Sequence, residues 1–489
     1  MNSRQSWAEL YPFSVDRTAD APVFRQIYLE LRSAILSGAL RPATKLPSTR
    51  DLAAQLGVSR TAVVSAFEQL LAEGYAFGRK GAGTYVASDL PEPFAAPHGP
   101  KARAAPAAAK ASFRGLGDFV DVTAQNDERP FNLGRTLLDA RSAELWRKLT
   151  ARTLRSFESY HLGYGDPRGL PELRKSVCDY LRAARGVHCE ADQIVITAGT
   201  QQAIDIVARV MPGPDTEVWI EDPGYSLTRL TLAASGAKIC PIPVDRHGVN
   251  VTEGINRAPK ARAAFITASH QFPTGVPLSM ARRLELLAWA RESGAWIIED
   301  DYASEFRYGG RPLASLQGLD EAGRVIYVGT LNKALFPGLR LGYAVLPHPV
   351  LQDFVAARYL IDRQPSSLCQ CVAAAFMEEG HFAAHVRRMR EVYRRQRDAL
   401  VAALRRRLGD HLSVEPPDQG MHLVAYTRRG LSDVKIERAA RDQGVVIRAM
   451  SRLYIEAPAQ SALMLGFSGY PQQTIAPAVA RLARAIAAG

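Results

Sequence analysis

Lys333 stands in Gly-Thr-Leu-Asn-Lys-Ala-Leu-Phe-Pro-Gly-Leu-Arg-Leu-Gly-Tyr, Gly329 to Tyr343. A lysine whose amine is kept neutral can join an aldehyde as an imine. It follows the apolar run "RVIYVG", so it lies at a strand's C-terminal end, where open α/β sheets place ligands. Thr330 precedes it by three residues and Arg340 follows by seven, and an arginine fork suits a phosphate. Asp300 in "AWIIEDDYASEF" ends another apolar run, with Tyr302 two residues on. "ITAGTQQAIDIV" puts Gly199, Thr200 and Gln201 at a strand-to-helix turn, whose free N–H groups bind anions. Tyr225 in "IEDPGYS" offers a ring to stack, and His270 opens "HQFPTG", a loop after the strand "AAFIT". An amine for an imine, an acid for a ring nitrogen, a hydroxyl for a phenolic oxygen and an anion cradle are what pyridoxal 5'-phosphate needs from protein. Singly, each residue is more often structural; the ordered set carries the argument.

The elements that would hold these residues follow from the same runs. From about Asp118, short β-branched stretches alternate with helical ones, which predicts a parallel sheet in an α/β fold. Before it, Asp89 to Arg114 is a Pro/Ala stretch with prolines at 91, 93, 97, 100 and 106, an extended linker rather than a helix. Earlier still, Val23, Ile27, Leu31 and Ala34/Ile35 repeat at helical spacing between Pro22 and Ser37. Ser48 opens a second helix with Asp51 in a capping-box position, and Ser59, after the turn at Gly57, opens a third that runs to about Glu73. Two short helices joined at Gly57 predict a helix-turn-helix that presents Ser59, Arg60 and Thr61 to a DNA groove. Tyr75 to Val86 reads as a hairpin with a basic, glycine-containing tip. A phosphate loop is the other reading of that tip, but no strand-to-helix transition follows it.

Bulk properties narrow the class without deciding it. The 489 residues are 47% hydrophobic and 22% charged, enough for two or three globular domains. No run approaches the ~18 apolar residues of a membrane helix, and Met1 to Phe13 carries no secretory apolar region. The five cysteines have no CxxC or disulfide-like spacing, so reduced thiols in cytoplasm are expected and no metal site is. Net charge is +12, yet residues 1–89 hold ten Lys/Arg against eight Asp/Glu. The densest basic stretch is Arg387 to Arg407, with nine arginines against Glu391 and Asp398. It reads as a solvated helix face, with an auxiliary phosphate-contacting surface as the alternative.

Two resemblances now bear on the chain. The span "GALRPATKLPSTRDLAAQLGVSRTAVVSAFEQLLAEGY" and its hairpin resemble the winged helix-turn-helix of GntR-type regulators. That implies DNA contacts from Ser48, Arg50, Ser59, Arg60 and Thr61, with Lys80 and Gly81 from the wing. From about Asp118 onward the chain resembles fold-type I aminotransferases, and as a whole it is similar to MocR-type regulators. The implied architecture is multidomain: an α+β winged helix-turn-helix at 1–88, a flexible linker at 89–117, and an α/β aminotransferase-like domain with large and small subdomains at 118–489. The resemblance assigns Lys333 to the Schiff base, Asp300 to the ring nitrogen and Tyr302 to the phenolic oxygen. Thr200, Gln201, Thr330 and Arg340 fall to the phosphate. Tyr164, in "GYGDPRG", matches a tyrosine contributed across a dimer, so a homodimer is implied.

Two departures stand out. Asn332 replaces the more usual serine before the lysine. Met464, in "ALMLGF", replaces the arginine that holds a substrate carboxylate, and methionine cannot pair with a carboxylate. Arg229 and Arg448 are the candidates to substitute for it. The expected function is therefore a regulator that binds an operator in double-stranded DNA and senses pyridoxal phosphate, an amine or an amino acid through an aldimine. A working aminotransferase with an appended reader, and a reader with a vestigial pocket, are the alternatives.

Overall fold

The computed structural model describes residues 14–79, 81–89, 127–211, 213–309, 313–428, 430–456 and 459–488. The chain divides into two compact units, Met1–Ala109 and Lys110–Gly489. The expected linker at 89–117 and the wing residue Lys80 lie outside the described residues, except for Asp89. Among the described residues no helix is long and apolar enough to cross a membrane.

In the first unit, helices α1 (Val23–Leu36), α2 (Thr49–Leu56) and α3 (Arg60–Ala72) precede a hairpin of β1 (Ala76–Arg79) and β2 (Gly83–Val86). The predicted breaks fall where their chemistry puts them. Ser48 Oγ accepts from Asp51 N at 3.1 Å and Ser59 Oγ accepts from Ala62 N at 3.3 Å, each capping a helix start. Gly57 closes α2 in the left-handed conformation. Ile27, Leu31, Leu52, Val63, Phe67 and Leu70 make the core. Leu46 N donates to Thr84 O at 2.8 Å, fastening the loop before α2 to the hairpin, a contact the local pattern does not announce.

The second unit is built on an eight-stranded sheet in the order β3-β10-β9-β8-β7-β4-β5-β6. Its strands are β3 (Ile194–Thr197), β4 (Glu217–Asp222), β5 (Lys238–Asp245), β6 (Gly248–Val249), β7 (Ala263–Ile266), β8 (Trp296–Asp301), β9 (Val325–Thr330) and β10 (Gly342–Val345). The expectation of a parallel sheet is corrected at two places. β10 runs antiparallel to both β3 and β9, and β5 pairs antiparallel with β6. β10 is as apolar as its parallel neighbours and buried on both faces, so composition could not reveal its direction. Helices cover both faces. Those that position the site are α4 (Ala140–Arg155), α5 (Thr200–Val210), α6 (Ser226–Ala234) and α7 (His381–Leu408).

A second, antiparallel sheet, β11 (Leu412–Val414), β12 (His422–Thr427), β14 (Ala462–Gly466) and β13 (Arg448–Ala449), forms the small subdomain. α7 joins the two subdomains. Its first turns place Phe382 and Val386 in the large-sheet core, and Met389 to Leu408 belong to the small-subdomain core. Residues 127–137 form a strap along the small sheet: Val446 N donates to Pro130 O (2.9 Å) and Gly466 N to Phe131 O (2.8 Å). The ring of Phe131 is buried in the small-subdomain core.

Candidate functional site

The end of β8 sorts three acids by strand alternation. Glu299 accepts from the N–H groups of Leu316 (2.9 Å) and Gln317 (3.1 Å). Asp301 accepts from Arg185 Nε (2.9 Å) and the Tyr327 hydroxyl (2.5 Å). Asp300 points the other way, and its Oδ1 is buried with no hydrogen-bond partner. Burial first, then the charges of Asp301 and Glu221, push the Asp300 carboxyl up to about 7, with Lys333 opposing. Lys333 sits just past β9, and burial lowers the pKa of its amine while Asp300 counteracts. The Tyr302 hydroxyl is a second buried group left unpaired. Asp300, coupled electrostatically to both Lys333 and Tyr302, and Tyr302 itself thus each keep the capacity to take a partner.

Aromatic rings wall this space. Tyr225 packs edge-on to Phe272 at 5.4 Å, and burial of its phenol, helped by Asp300, pushes it up to about 12 although the residue as a whole keeps an exposed edge. Phe272 lies 6.3 Å from the Tyr302 ring, and His270 lies 6.0 Å from it. Both ring nitrogens of His270 are buried and unpaired, and desolvation pulls its pKa down to about 3. The neighbouring His422 holds Pro273 O at 3.0 Å through Nε2.

The expected anion cradle falls at the start of α5. Gly199 has φ +118°, and a Cβ there would stand 3.0 Å from Asn332 Nδ2 and 3.8 Å from an Arg340 guanidinium nitrogen. The helix N-terminus and Arg340 therefore converge on one spot. Arg340 itself is left-handed, φ +54°, a conformation non-glycine residues hold mainly under constraint. Thr330 is engaged within the lysine turn: its Oγ1 donates to Leu341 O (3.3 Å) and accepts from Asn332 N (3.1 Å). Asn332 Oδ1 accepts from Leu341 N at 2.9 Å, so the departure at this position makes a local bond. Gln201 Nε2 donates to Thr231 Oγ1 at 2.7 Å, while its Oε1 is buried and unpaired.

Gly134, on the strap, is a site residue that sequence reasoning missed. A Cβ at this position, φ +73°, would lie 2.5 Å from Lys333 Nζ. Nothing local marks it, since the approach is made by a segment remote in sequence. His422 was missed for the same reason, and Glu221, within "IEDPGYS", was passed over for Tyr225. Glu221 accepts from Thr267 N at 3.1 Å, and burial pushes it up to about 7.

Met464 is fully buried, packed with Val424, Met450 and Ala462, and Leu133 and Phe272 lie against this cluster. Arg448 is its register partner across β13 and β14, and Arg229 lines a cavity with Tyr225, Glu221, Thr267 and Asp300. Tyr164 is 80% exposed, with the Arg363 guanidinium 4.2 Å from its ring centroid, and is not brought to Lys333 within this chain. In the other unit Ser48, Arg50, Ser59, Arg60, Thr61 and Gly81 are all exposed. Along α7, Arg388 pairs with Asp139 (2.8 Å), Arg394 with Glu391 (2.8 Å), Arg397 with Asp398 (2.7 Å) and Arg405 with Glu415 (2.9 Å). Arg387, Arg406 and Arg407 are exposed. Of the cysteines, Cys178 and Cys189 are buried with their sulfurs 3.7 Å apart, and all five are free thiols.

A winged helix-turn-helix in one unit and a lysine-centred pocket on a mixed α/β sheet in the other define a class: a DNA-binding module fused to an aminotransferase-like domain. Comparison with known proteins agrees. Residues 24–86 match the model of "Bacterial regulatory proteins, gntR family", and residues 131–482 match "Aminotransferase class I and II". The "Probable rhizopine catabolism regulatory protein MocR" of Rhizobium meliloti is 40% identical over 94% of this chain and 93% of its own length. The "HTH-type pyridoxine biosynthesis transcriptional regulator PdxR" of Corynebacterium glutamicum is 28% identical over 98% of this chain and 99% of its own. Among solved structures, an archaeal alanine:glyoxylate aminotransferase superposes with TM-score 0.70 at 25% identity, over 78% of this chain and 96% of its own. The kynurenine aminotransferase of Pyrococcus horikoshii, in complex with PMP, gives 0.68 at 25% identity, over 80% and 97%. The chain belongs to the MocR-type subfamily of GntR transcriptional regulators, DNA-binding proteins with a fold-type I aminotransferase-like domain.

Proposed function

We propose that this regulator binds pyridoxal 5'-phosphate at Lys333 and senses the cofactor itself, or a primary amine or amino acid, so that occupancy changes operator binding. The observation that carries the reading is the pair of buried, unpaired groups at the Asp300 carboxyl and the Tyr302 hydroxyl, beside an amine, Lys333, whose charged form burial disfavours. A buried polar group left unpaired costs about 1–3 kcal/mol, so such a pair marks a place prepared for a polar ligand. The donor set fits this cofactor. Asp300 would face a ring nitrogen, Tyr302 a phenolic oxygen, and the Tyr225 ring would stack. Arg340 with the α5 N-terminus at Gly199 and Thr200 takes the phosphate, with Gln201 and Thr330 at its border and His270 behind Tyr302. When bound, the cofactor supplies an aldehyde carbon for an amine and a ring that withdraws electrons. Asp300, costly as a lone buried anion, would be held ionised beside a cationic ring nitrogen. Lys333, whose charged form burial disfavours, is a displaceable amine.

A homodimer completes this reading. Tyr160, Leu162, Tyr164 and Leu360 are exposed large side chains, and Gln364 Nε2 donates to Gly163 O at 3.2 Å. They support a face on which Tyr164 of the partner subunit reaches the phosphate. In the reader, α3 presents Arg60 and Thr61 to the major groove, with Ser48, Arg50, Ser59 and the wing at Lys80 and Gly81 on the backbone. The linker at 89–117 joins reader to sensor in the cytoplasm. Effector and operator are coupled only through arrangements that favour one over the other by the same free energy.

The competing reading is amino-acid turnover. The buried Met464 supports sensing over turnover, because that position offers no cation to a carboxylate. The test is the spectrum of the purified protein. An imine band should be present in wild type and absent in Lys333→Ala; a band that survives in the variant removes the Schiff-base assignment. Steady turnover of an amino donor with a keto acid would favour the enzyme instead.

A further inference from the structure

A buried polar network lies behind Lys333, away from the pocket groups described above. His385, on the second turn of α7, is fully buried, as is Ser142 on α4. His385 Nε2 is 3.0 Å from the carbonyl oxygen of Ala334, the residue after Lys333. His385 Nδ1 is 2.8 Å from Ser142 Oγ. Arg388, one turn along α7, donates to Ser142 Oγ at 2.9 Å and to Asp139 Oδ2 at 2.8 Å. Asp139 caps α4 by accepting from Ser142 N at 2.6 Å, and its Oδ2 lies 3.9 Å from His385 Nδ1.

The roles in this network follow from donor and acceptor inventory. A carbonyl oxygen only accepts, so His385 must carry its proton on Nε2. The neutral ring then presents a bare Nδ1, and Ser142 has a free hydroxyl proton for it because Arg388 supplies the bond that Ser142 accepts. Burial keeps the imidazole below its usual range, with Asp139 and the Ala334 carbonyl opposing and Arg388 reinforcing. The ring is therefore a fixed strut rather than a free base.

We propose that His385 is a positioning residue for Lys333: through the Ala334 carbonyl it fixes the Ala334–Leu335 peptide, one residue past the lysine, and it ties that turn to α7, the helix that joins the two subdomains. Leu331, Ala334 and Leu335 are each about 1% exposed, so the turn is held by packing on its apolar side. The strut adds a directional constraint that packing lacks. A shift of the small subdomain along α7 is transmitted to the lysine's backbone, and a ligand that moves the lysine is transmitted back. The inference rests on the reading of Lys333 as the reactive amine.

Two substitutions separate reach from bulk. His385→Gln keeps a donor near the Nε2 position, whereas His385→Asn is too short for the Ala334 carbonyl. Two readouts are taken on the full chain. One is the pH midpoint of the imine band with pyridoxal phosphate. The other, without cofactor, is the pH profile of Lys333 modification by an amine-reactive reagent, followed by mass spectrometry. The groups facing the lysine, Asp300 and His422, are unchanged in both variants. The Asn variant should move both midpoints by about half a pH unit or more, about threefold in the equilibrium constant, and the Gln variant should restore them. Midpoints that match wild type in the Asn variant overturn the proposal, as do equal shifts in both variants that merely track a common loss of melting temperature. If the Asn variant does not fold, Ser142→Ala serves, since it removes the donor to Nδ1, costs Arg388 one acceptor while leaving it Asp139, and keeps the Asp139 cap on a backbone N–H. An unchanged Lys333 profile there overturns the strut. Absence of an imine band in wild type would instead fail the cofactor reading, and the cofactor-free profile would still decide the role of His385.

Discussion

At the scale of residues, the pocket is tuned by burial against charge. Asp300 is the clearest case, its carboxyl held up at about 7 in the cofactor-free protein. Below about pH 4 it is protonated whether the chain is folded or not. Between there and about pH 7 the folded protein holds more protons than the unfolded one, so this group's contribution to stability is lost as pH rises. Glu221, Glu299 and Glu305, each pushed up to about 7 by burial, act in the same direction. Asp300→Asn should therefore leave the cofactor-free protein at least as stable at pH 8 and flatten the slope of melting temperature between pH 5 and 7. Pyridoxal phosphate should bind about tenfold or more weakly, which is 1.4 kcal/mol or more. Melting curves and a cofactor titration check this, and a variant that binds cofactor normally would remove Asp300 from the ring nitrogen. Residues such as Asp300, Tyr302 and Lys333 were legible because strand ends announce themselves by an apolar run that stops. His385 and His422 were not, because a lone histidine inside a helix or strand has no signature until its partners are known.

At the scale of elements, legibility followed how local the determining forces are. Ser48, Gly57 and Ser59 set helix ends through bonds to the next turn, so the reader's boundaries came within a residue or two. The direction of β10 depends on how the chain returns past the lysine turn, and the strap at 127–137 depends on partners in β14; both are long-range. Gly134 permits a strong prediction. Gly134→Ala adds a methyl group into the space of Lys333 Nζ at a left-handed backbone position. It should abolish the imine band while the reader's DNA binding persists, read by absorbance and by operator titration. Ser59→Ala should remove a helix cap, costing the reader about 1 kcal/mol in thermal or denaturant melts. The arginines of α7 are largely committed to carboxylates and carbonyls. Neutralising the exposed Arg387, Arg406 and Arg407 together should leave the salt dependence of operator binding unchanged; a flatter slope would mean that this face meets phosphates.

At the scale of the molecule, two compact units answer two different chemistries, and substitutions should separate them. Arg60→Ala should weaken operator binding by about tenfold, in line with ~1–3 kcal/mol per arginine–guanine pair, and leave cofactor uptake intact. Loss of both would indicate misfolding rather than a lost base contact. The net charge of +12 gave no such separation, because the reader carries so little of it.

The strap adds a consequence of its own. Asp127 is the first described residue after the stretch that leads back to the reader, and Gly134 follows it by a few peptide bonds. The backbone that packs against Lys333 Nζ is thus, in sequence, the first described part of this unit after the residues that lead from the DNA-binding unit. If Lys333 takes the ligand as proposed, a ligand that crowds Gly134 presses on the segment of this unit nearest in sequence to the reader.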